Sequence, residues 1–600
     1  MLQSDFVRNP NRRGRRPGGG VGGAGRLVAV VGALRAARLR TLVHRFGGEW
    51  TTKKSALLER CALVGLDDAQ LLLAYHDALL FMIAYPENPS LLSRAGSELQ
   101  RVAEAARRVG EAKNARVRRR LYGTGIAWSE QSSAFSYDIA TWLAQAHPEN
   151  AEIDYADESG QSLPSVLKLC MPPIEAELLE TEFADVNEFL NEAKGTAASS
   201  RLGWLIAQLA RLPLPQVRER LFESLQLYLT VSPRDGALSR TFARGLPAPV
   251  FFHSEELLRD FAPAAVIDEP VPAARRLSSR DRFALLDAAR GVLAMLGRET
   301  DPITAATPDG VEYRELGRGA AIALYSMPPE RRFPLDTQLG FVVFKNAVPV
   351  AYGGGWPFLE RCKIGINVLA PFRGGESAYL FCQVLRVYRQ HFGVERFVVE
   401  PYQFGAGNRE GLLSGAFWFY YRLGFRPAAL SQAALAAAEF ERIGSKTTYR
   451  SPLAVLRRLT RCDLELRLAG DEAKPWPDPA LLSLAATQWI GRTFAGDRTA
   501  AQTAALGRVR AVLRVGDDAT WPPGERYSFA VLSILVAMIA DLERWSEREQ
   551  RDCLALMRAK GAKDETLYFK LTQRHPRFRD ALIGILERAA LAETATKKRE

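Results

Sequence analysis

A turn of small residues between Arg373 and Ala378 is where residue types and spacing in this sequence first point to chemistry. It reads Arg-Gly-Gly-Glu-Ser-Ala, and a helical pattern begins directly after it. Backbone N–H groups at the start of a helix have no partner inside the helix, and the helix dipole favours an anion there. The turn therefore predicts an anion site, for instance for phosphate, although many strand-to-helix turns of this kind bind nothing.

The elements around this turn are those of a βαβα unit. An alternating, β-branched run that starts at Lys363 predicts a strand, which ends at Pro371 and the glycine pair. The helix that follows is amphipathic and ends at Gly393. Residues 396–400 then predict a short buried strand, and residues 411–423 a second helix. Two strands joined through a helix are expected to lie parallel in one sheet.

Two motifs in this unit resemble the GNAT superfamily of N-acetyltransferases. The family's acyl-CoA pyrophosphate loop reads Arg/Gln-x-x-Gly-x-Gly/Ala, five residues after a strand valine, and the matching positions are Val368, Arg373, Gly374 and Ala378. Residues 419–425, Phe-Tyr-Tyr-Arg-Leu-Gly-Phe, are similar to the family's closing signature. Asn408 lies in the preceding loop, where the family often has an asparagine. The resemblance covers about residues 310–430, under a quarter of the chain.

The resemblance implies a binding mode for acetyl-CoA. The backbone of Val368 and Leu369 would face its pantetheine arm and thioester, and main-chain N–H groups would surround its pyrophosphate. The residues implied in cofactor binding beyond these two are Arg373, Gly374, Gly375, Glu376, Ser377, Ala378 and Asn408. The acceptor amine would attack the thioester directly, so no covalent intermediate with the protein is expected.

The resemblance also implies an acid and a base. Tyr420 matches the family tyrosine near the departing thiolate and would protonate it, although it reads equally well as packing in an aromatic-rich helix. Glu400, at the end of the second strand, is the candidate base, and its alternative is a solvated surface carboxylate. Glu360 is a weaker candidate. Tyr352, Trp356 and the glycines 353–355 between them are expected to line an acceptor cleft. Alternatively, the three glycines only relieve crowding at the end of a strand.

Glu376 departs from the family pattern, which has a glycine at this position. A carboxylate inside the loop would repel phosphate unless its side chain turns away to solvent. Two functions therefore remain open. The first is an acyl-CoA-dependent N-acyltransferase with an undefined amine acceptor. The alternative is a non-catalytic interaction or scaffold protein whose GNAT-like domain no longer binds CoA, with its partners held by helical domains.

Composition indicates an ordinary soluble globular protein, with 47% hydrophobic and 25% charged residues. The six cysteines are far apart and form no C-x-x-C pair, which argues against a disulfide framework or a zinc site and favours a reducing cytoplasm. The scattered histidines predict no structural metal. The chain contains no Gly-x-Ser-x-Gly elbow, no phosphate loop ending in Gly-Lys and no His-Glu-x-x-His pair.

The net charge of +12 is concentrated at the N-terminus. Residues 1–48 hold ten arginines, no lysine and one acidic residue, so they account for +9 and leave about +3 for the rest. We interpret residues 1–48 as an Arg/Gly-rich, mostly disordered tail with a short amphipathic helix near residues 27–42. A nucleic-acid arm, a targeting segment and a wrongly assigned start codon all fit it. Its apolar run is too short to span a membrane.

The periodicities predict a mixed α and β chain whose central GNAT-like α/β domain is flanked by two all-α domains. Residues 49–300 read as helical almost throughout, including a helix at 217–229. Residues 301–470 form the central domain, with antiparallel strands at 311–316, 320–326, 340–344 and 348–353 before the βαβα unit and a possible strand near 446–450. Residues 471–479 are a linker, and residues 480–600 a second helical domain.

Overall fold

The first elements of the protein are helices that pack on one another. The structure, a computed structural model, describes residues 38–111, 119–179, 183, 185–233, 236, 238–446, 448–468 and 476–597. The first three helices are α1 (Gly48–Ala62), α2 (Ala69–Ala84) and α3 (Pro89–Glu111). Helix α2 is apolar on nearly all sides and is almost entirely buried. It begins at Asp68, whose carboxylate accepts from the N–H groups of Gln70 and Leu71.

Residues 131–231 form a small sheet with its own hydrophobic core. The strands are β1 (Gln131–Ser133), β2 (Ala151–Ala156) and β3 (Leu227–Val231), antiparallel in the order β1-β3-β2. Six helices lie between them in the chain: α4 (Tyr137–Ala146), α5 (Leu163–Leu167), α6 (Ala176–Leu179), α7 (Val186–Lys194), α8 (Arg201–Leu209) and α9 (Pro215–Ser224). The expectation that residues 49–300 are all-α is therefore wrong here.

The predicted helix at 217–229 is in fact a helix followed by a strand. Helix α9 ends at Ser224, and Leu227, Leu229 and Val231 are buried at every second position of β3. The apolar residues before them continue a helical period, which hid the change to a period of two. The remaining helices before the large sheet are α10 (Pro263–Asp268), α11 (Ser279–Ala294) and α12 (Asp301–Thr304).

A mixed sheet of eight strands lies at the centre of the described chain. Its strands are β4 (Val311–Gly317), β5 (Ala320–Ser326), β6 (Leu339–Lys345), β7 (Val348–Phe358), β8 (Arg361–Val368), β9 (Arg396–Val399), β10 (Arg426–Pro427) and β11 (Leu464–Arg467). Their order is β10-β11-β9-β8-β7-β6-β5-β4, and only β8 and β9 pair in parallel. The predicted antiparallel strands and the parallel pair are thus present. The possible strand near 446–450 is not, because the described residues there form turn and coil.

Helix α13 (Ser377–Phe392) connects the parallel strands, and Gly393 ends it in the left-handed conformation with φ 69°. The predicted helix at 411–423 consists of two helices, α14 (Arg409–Ser414) and α15 (Ala416–Arg422), separated by Gly415 with φ 73°. Helices α16 (Leu430–Ser445) and α17 (Leu453–Leu459) precede the last strand. Gly415 can adopt this left-handed conformation because glycine has no Cβ.

The C-terminal part consists of helices that pack on the end of β7. They are α18 (Pro479–Phe494), α19 (Arg498–Val512), α20 (Pro523–Ala537), α21 (Glu547–Ala559), α22 (Thr566–Gln573) and α23 (Pro576–Lys597). Phe358 and Leu359, at and just beyond the end of β7, belong to their hydrophobic cluster. Of the predicted linker, residues 471–475 lie outside the described residues. Within the described chain, none of the helices is long and apolar enough to cross a membrane.

The last residues of the predicted N-terminal tail belong to the fold. Residues 1–37, with most of the predicted amphipathic helix, lie outside the described residues. Leu39, Val43 and Phe46 are 0%, 2% and 4% exposed and belong to the same hydrophobic cluster as the large sheet. Residues 39–46 are therefore part of the fold, because these side chains are covered by the protein. All six cysteines fall within the described residues, and none forms a disulfide.

Candidate functional site

A cleft opens where β8 and β9 separate. The two strands pair only from Arg361 to Lys363 on β8, whereas β8 continues to Val368 paired with β7 alone. The open edge of β8 forms part of a cavity of about 1260 Å³. This volume exceeds that of most small-molecule sites, which is about 300–1000 Å³. The cleft is therefore large enough for an extended ligand.

Most of the predicted site residues lie around this cleft. Those that line it are Val368, Arg373, Gly374, Gly375, Ser377, Ala378, Asn408 and Tyr420. Of the candidates for the acceptor side, Tyr352, Gly353, Gly354 and Trp356 also line it. Leu369, Glu376 and Glu400 do not. Residues from three parts of the chain that are distant in sequence thus meet in one cavity.

The turn before α13 requires both of its glycines. Gly374 has φ 87°, and a Cβ at Gly375 would lie 2.9 Å from the Tyr85 hydroxyl oxygen. The N–H groups of Ser377 and Ala378 belong to the first turn of α13, where the helix provides no acceptor for them. No side chain caps this helix end. An anion in the cleft would find both these donors and the positive end of the helix dipole.

Segments from the N-terminal half hold the turn in place. The Arg259 guanidinium donates to the carbonyl of Gly374 at 2.8 Å and to that of His44 at 3.4 Å. The Tyr85 hydroxyl accepts from the N–H of Glu376. Arg259 and His44 both line the cleft. No local pattern in the sequence indicates these contacts, because their partners are more than 100 residues away.

Glu376 points into the protein core. Its side chain is fully buried, and its carboxylate accepts from Lys345 at 2.7 Å, from Arg318 at 2.5 Å and from the N–H of Leu258 at 3.0 Å. Burial alone would raise the pKa of Glu376, but Lys345 and Arg318 outweigh burial and hold this pKa below its usual range. The expected turn of this side chain towards solvent is therefore wrong, and Glu376 does not line the cleft.

The backbone expected to face the cleft is only partly available. Leu369 donates its N–H to the carbonyl of Val350, so its backbone faces β7 and not the cleft. The carbonyl of Val368 accepts from Nε of Arg373 at 3.1 Å. Ile366 faces the open edge, where its N–H interacts with the Tyr420 hydroxyl. The backbone that faces the open edge is thus that of Ile366 and not that of Leu369, because residues of a strand alternate between its two edges.

Arg373 forms an ion pair across the mouth of the cleft. Its Nη2 donates to Oε1 of Glu410 at 2.7 Å, and both side chains are about half exposed. Glu410 lies in the first turn of α14, on the side of the cleft that follows β9. Asn408 caps the same helix by accepting from Gly411, and it also donates to the carbonyl of Tyr402. Asn408 therefore positions this loop.

Tyr420 is the candidate acid, and it is 2% exposed at the cleft wall. Burial raises its pKa well above the ordinary value, while the N–H of Ile366 works in the opposite direction. Phe381 and Phe425 pack edge-on against its ring. The hydroxyl therefore stays protonated at neutral pH and is held in place by its neighbours. The packing role and the donor role that the sequence left open are compatible.

Neither candidate base lies at the cleft. Glu400 is about half exposed and accepts from Lys363 at 2.8 Å, and Glu360 pairs with Arg579. The carboxylates that do line the cleft are those of Asp260, Glu299 and Glu410, which sequence reasoning missed. Glu299 accepts from the N–H and hydroxyl of Ser136 at the start of α4. The sequence offered no signal for it, because it follows α11 and reaches the cleft only through the fold.

The three glycines of β7 have different neighbours. A Cβ at Gly353 would lie 2.1 Å from the carbonyl oxygen of Gly365, and one at Gly355 would lie 2.4 Å from the Tyr388 ring. The nearest atom to a Cβ at Gly354 would be 3.5 Å away. Crowding therefore explains Gly353 and Gly355. Gly354, beside the Trp356 indole, is the one that leaves space at the cleft.

No protein-family model, curated protein or solved structure matches this chain. Among the described residues, no group of three or more His, Cys, Asp or Glu side chains is arranged to hold a metal ion. The fold defines a mixed α/β protein with a large cleft at the point where its two parallel strands separate. The function of that cleft is therefore inferred from the chemistry of its own residues.

Proposed function

We propose that this protein is an acyl-CoA-dependent N-acyltransferase that transfers an acetyl group from acetyl-CoA to an amine. The observation that carries the proposal is the cleft between β8 and β9. The uncapped start of α13, the cation of Arg373 and the hydroxyl of Tyr420 all line this one cavity. Those are an anion site and a proton donor beside one exposed strand edge. The GNAT-like identity of residues 301–470 is part of this proposal.

The phosphate end of the ligand fits the turn at residues 373–378. The N–H groups of Ser377 and Ala378 supply neutral donors, and the guanidinium groups of Arg259 and Arg373 supply charge. Glu376 supports this fit, because its charge is compensated inside the core and is turned away from the cleft. The edge of β8 beyond its short pairing with β9 lines the cleft, so an amide-containing arm can lie along it.

The acyl group would arrive as a thioester, and the protein's part is to position it and to move protons. The acceptor nitrogen forms a bond to the acyl carbon while the carbon–sulfur bond breaks. Tyr420, at the cleft wall, donates its proton to the departing sulfur, and water in the cleft then returns a proton to the tyrosine. The proton of the amine leaves to a cleft carboxylate or to water. Glu299 and Glu410 are better placed for this than the predicted Glu400.

A second candidate function is an interaction or scaffold protein that binds no CoA. The ion pair between Arg373 and Glu410 favours it, since the Arg373 guanidinium that would bind phosphate is already paired with Glu410. That pair is exposed, and exposed pairs contribute only about 0–1 kcal/mol. A doubly charged pyrophosphate can displace such a partner. We therefore rank the transferase first.

Calorimetric titration of acetyl-CoA into the full-length protein tests the proposal. We expect micromolar binding by the wild-type protein and loss of that binding in Arg373→Glu. Arg409→Glu is the matched control, because Arg409 is exposed and does not line the cleft. Binding that survives Arg373→Glu would show that Arg373 does not hold the phosphates. No binding by wild type at millimolar acetyl-CoA would refute the transferase and favour the scaffold.

Catalysis itself is tested at Tyr420. Tyr420→Phe keeps the ring packing but removes the proton donor, so we expect acetyl-CoA binding to persist and turnover to fall about 10²–10⁴-fold. Turnover is measured as release of free thiol in the presence of a mixture of amines. An unchanged rate in Tyr420→Phe would mean that the hydroxyl only packs.

A further inference from the structure

Arg298 has a fixed place at the end of α11. Gly297 follows the helix with φ 60°, and its N–H donates to the carbonyl of Ala294 at 2.9 Å. The N–H of Arg298 donates to the carbonyl of Leu293 at 2.9 Å. This pair of bonds is a Schellman motif, which ends a helix rigidly. The backbone that carries the Arg298 side chain is therefore well defined.

The Arg298 guanidinium is a half-buried cation at the cleft wall with few partners. Its Nη1 donates to the hydroxyl oxygen of Tyr352 at 3.1 Å. Within the residues that the structure describes, this is the one hydrogen bond of its side chain, and no carboxylate lies within 4 Å. A guanidinium has five N–H donors. Most of them therefore remain free to bind a ligand in the cleft.

The guanidinium of Arg298 is positively charged in the cleft. Burial works to lower its pKa, but the Tyr352 hydroxyl and the more distant Glu410 carboxylate outweigh burial and raise the pKa above its ordinary value. A partly desolvated cation of this kind is stabilised by an anion that matches its planar geometry. Carboxylates do so with two parallel hydrogen bonds.

Arg298 reaches the cleft beside β7, where it contacts Tyr352, whereas the turn at residues 373–378 follows β8. Its partner Tyr352 lies on β7 opposite Asn367 of β8, beside the open strand edge. Tyr352, Gly354 and Trp356 line the cleft along the same face of β7. Gly354 has no side chain, so this face has an aromatic residue on either side of a gap. The Arg298 guanidinium stands at one end of that surface.

We propose that Arg298 binds a carboxylate group of the acceptor, so that the acceptor is an amine with a carboxylate nearby, as in an amino acid. The proposal rests on the proposed transferase function and names its acceptor class. The amine would lie beside the open edge of β8, and the side chain of the acceptor against Tyr352 and Trp356.

Matched acceptors test this proposal. Amino acids and the corresponding amino acid amides share the amine and the side chain, but the amides lack the negative charge. With wild-type protein and acetyl-CoA, we expect thiol release to have a KM about 10- to 100-fold lower for an amino acid than for its amide, the range of one or two charge-assisted hydrogen bonds. Arg298→Gln should remove the difference, and Arg298→Lys should restore part of it.

Arg409→Gln is the control, since it removes an exposed arginine that does not line the cleft and should leave the KM ratio unchanged. Calorimetry with an N-acetyl amino acid and its amide provides a readout without turnover. The same preference, lost in Arg298→Gln, is expected there.

The outcomes separate the two proposals. If acetyl-CoA binds and amino acids react no better than amides, the carboxylate assignment is wrong and the transferase stands. If Arg298→Gln weakens acetyl-CoA binding and leaves the acceptor preference intact, Arg298 binds the phosphates of the donor and the assignment is again wrong. If acetyl-CoA does not bind, the transferase falls, and calorimetry with the N-acetyl compounds still decides whether Arg298 recognises a carboxylate.

Discussion

At the scale of single residues, two carboxylates that the sequence singled out as candidate site residues have opposite surroundings. Glu376 is buried among Lys345, Arg318 and the N–H of Leu258, whereas Glu400 is exposed and pairs with Lys363. The sequence could not distinguish them, because the partners of Glu376 come from 31, 58 and 118 residues away. The motif placed Glu376 in the turn before α13, but it gave no information about the direction of the side chain.

This contrast predicts different stabilities for two equivalent substitutions. Glu376→Gln leaves Lys345 as a buried cation without its counter-charge, and breaking a buried pair in this way costs about 3–5 kcal/mol. Glu400→Gln breaks a pair that is about half exposed and should cost about 0–1 kcal/mol. Urea unfolding followed by circular dichroism measures both. Equal losses in the two variants would contradict the buried position of Glu376.

The effect of Glu376 should also depend on pH. Its pKa in the folded protein is below its ordinary value, so the unfolded chain takes up a proton before the folded one does. The stability that Glu376 provides is therefore present above about pH 4.3 and is lost as the pH falls further. We expect the gap between wild type and Glu376→Gln to narrow from pH 6 towards pH 3. A gap that stays constant would show that folding does not change the pKa of Glu376, and a gap that widens would show that the carboxyl is protonated in the fold.

At the scale of elements, local patterns predicted the βαβα unit and the antiparallel strands before it. Each of these has a clear period, and glycines mark their ends, as at Gly393. The small sheet at residues 131–231 was missed because β1 has three residues and β3 follows a helix directly. Its pairing joins segments up to 100 residues apart. Such contacts depend on the tertiary fold and leave no mark on a short window of sequence.

The glycines of β7 give a prediction at this scale with a control in the same strand. Gly355→Ala places a methyl group 2.4 Å from the Tyr388 ring, which is fixed by its hydrogen bond to the carbonyl of Leu339. We expect Gly355→Ala to lower the free energy of unfolding by about 1–3 kcal/mol or more. Gly354→Ala meets nothing closer than 3.5 Å and should be nearly neutral. Thermal denaturation compares them, and a larger loss in Gly354→Ala would mean that the strand register is different.

At the scale of the whole molecule, the cleft depends on parts of the chain outside residues 301–470. One hydrophobic cluster contains Leu39 near the start of the described chain, the large sheet and Phe569 near its end. In the C-terminal part, Lys560 and Glu565 form a buried ion pair. Both side chains also make a hydrogen bond to the hydroxyl of Thr337, which precedes β6. Arg259 and His44 then reach the turn at Gly374. A resemblance confined to one fifth of the sequence could not reveal these supports, because none of them is a motif.

The contribution of the N-terminal segment is testable by two deletions. Removal of residues 1–48 takes away Leu39, Val43 and Phe46, and full burial of such side chains contributes at most about 1.5–3 kcal/mol each. It also removes His44 beside Gly374. We therefore expect a clearly lower Tm than in the deletion of residues 1–37, which keeps these four residues, and weaker acetyl-CoA binding if the proposed function holds. Equal Tm values for the two deletions would place residues 38–48 outside the fold.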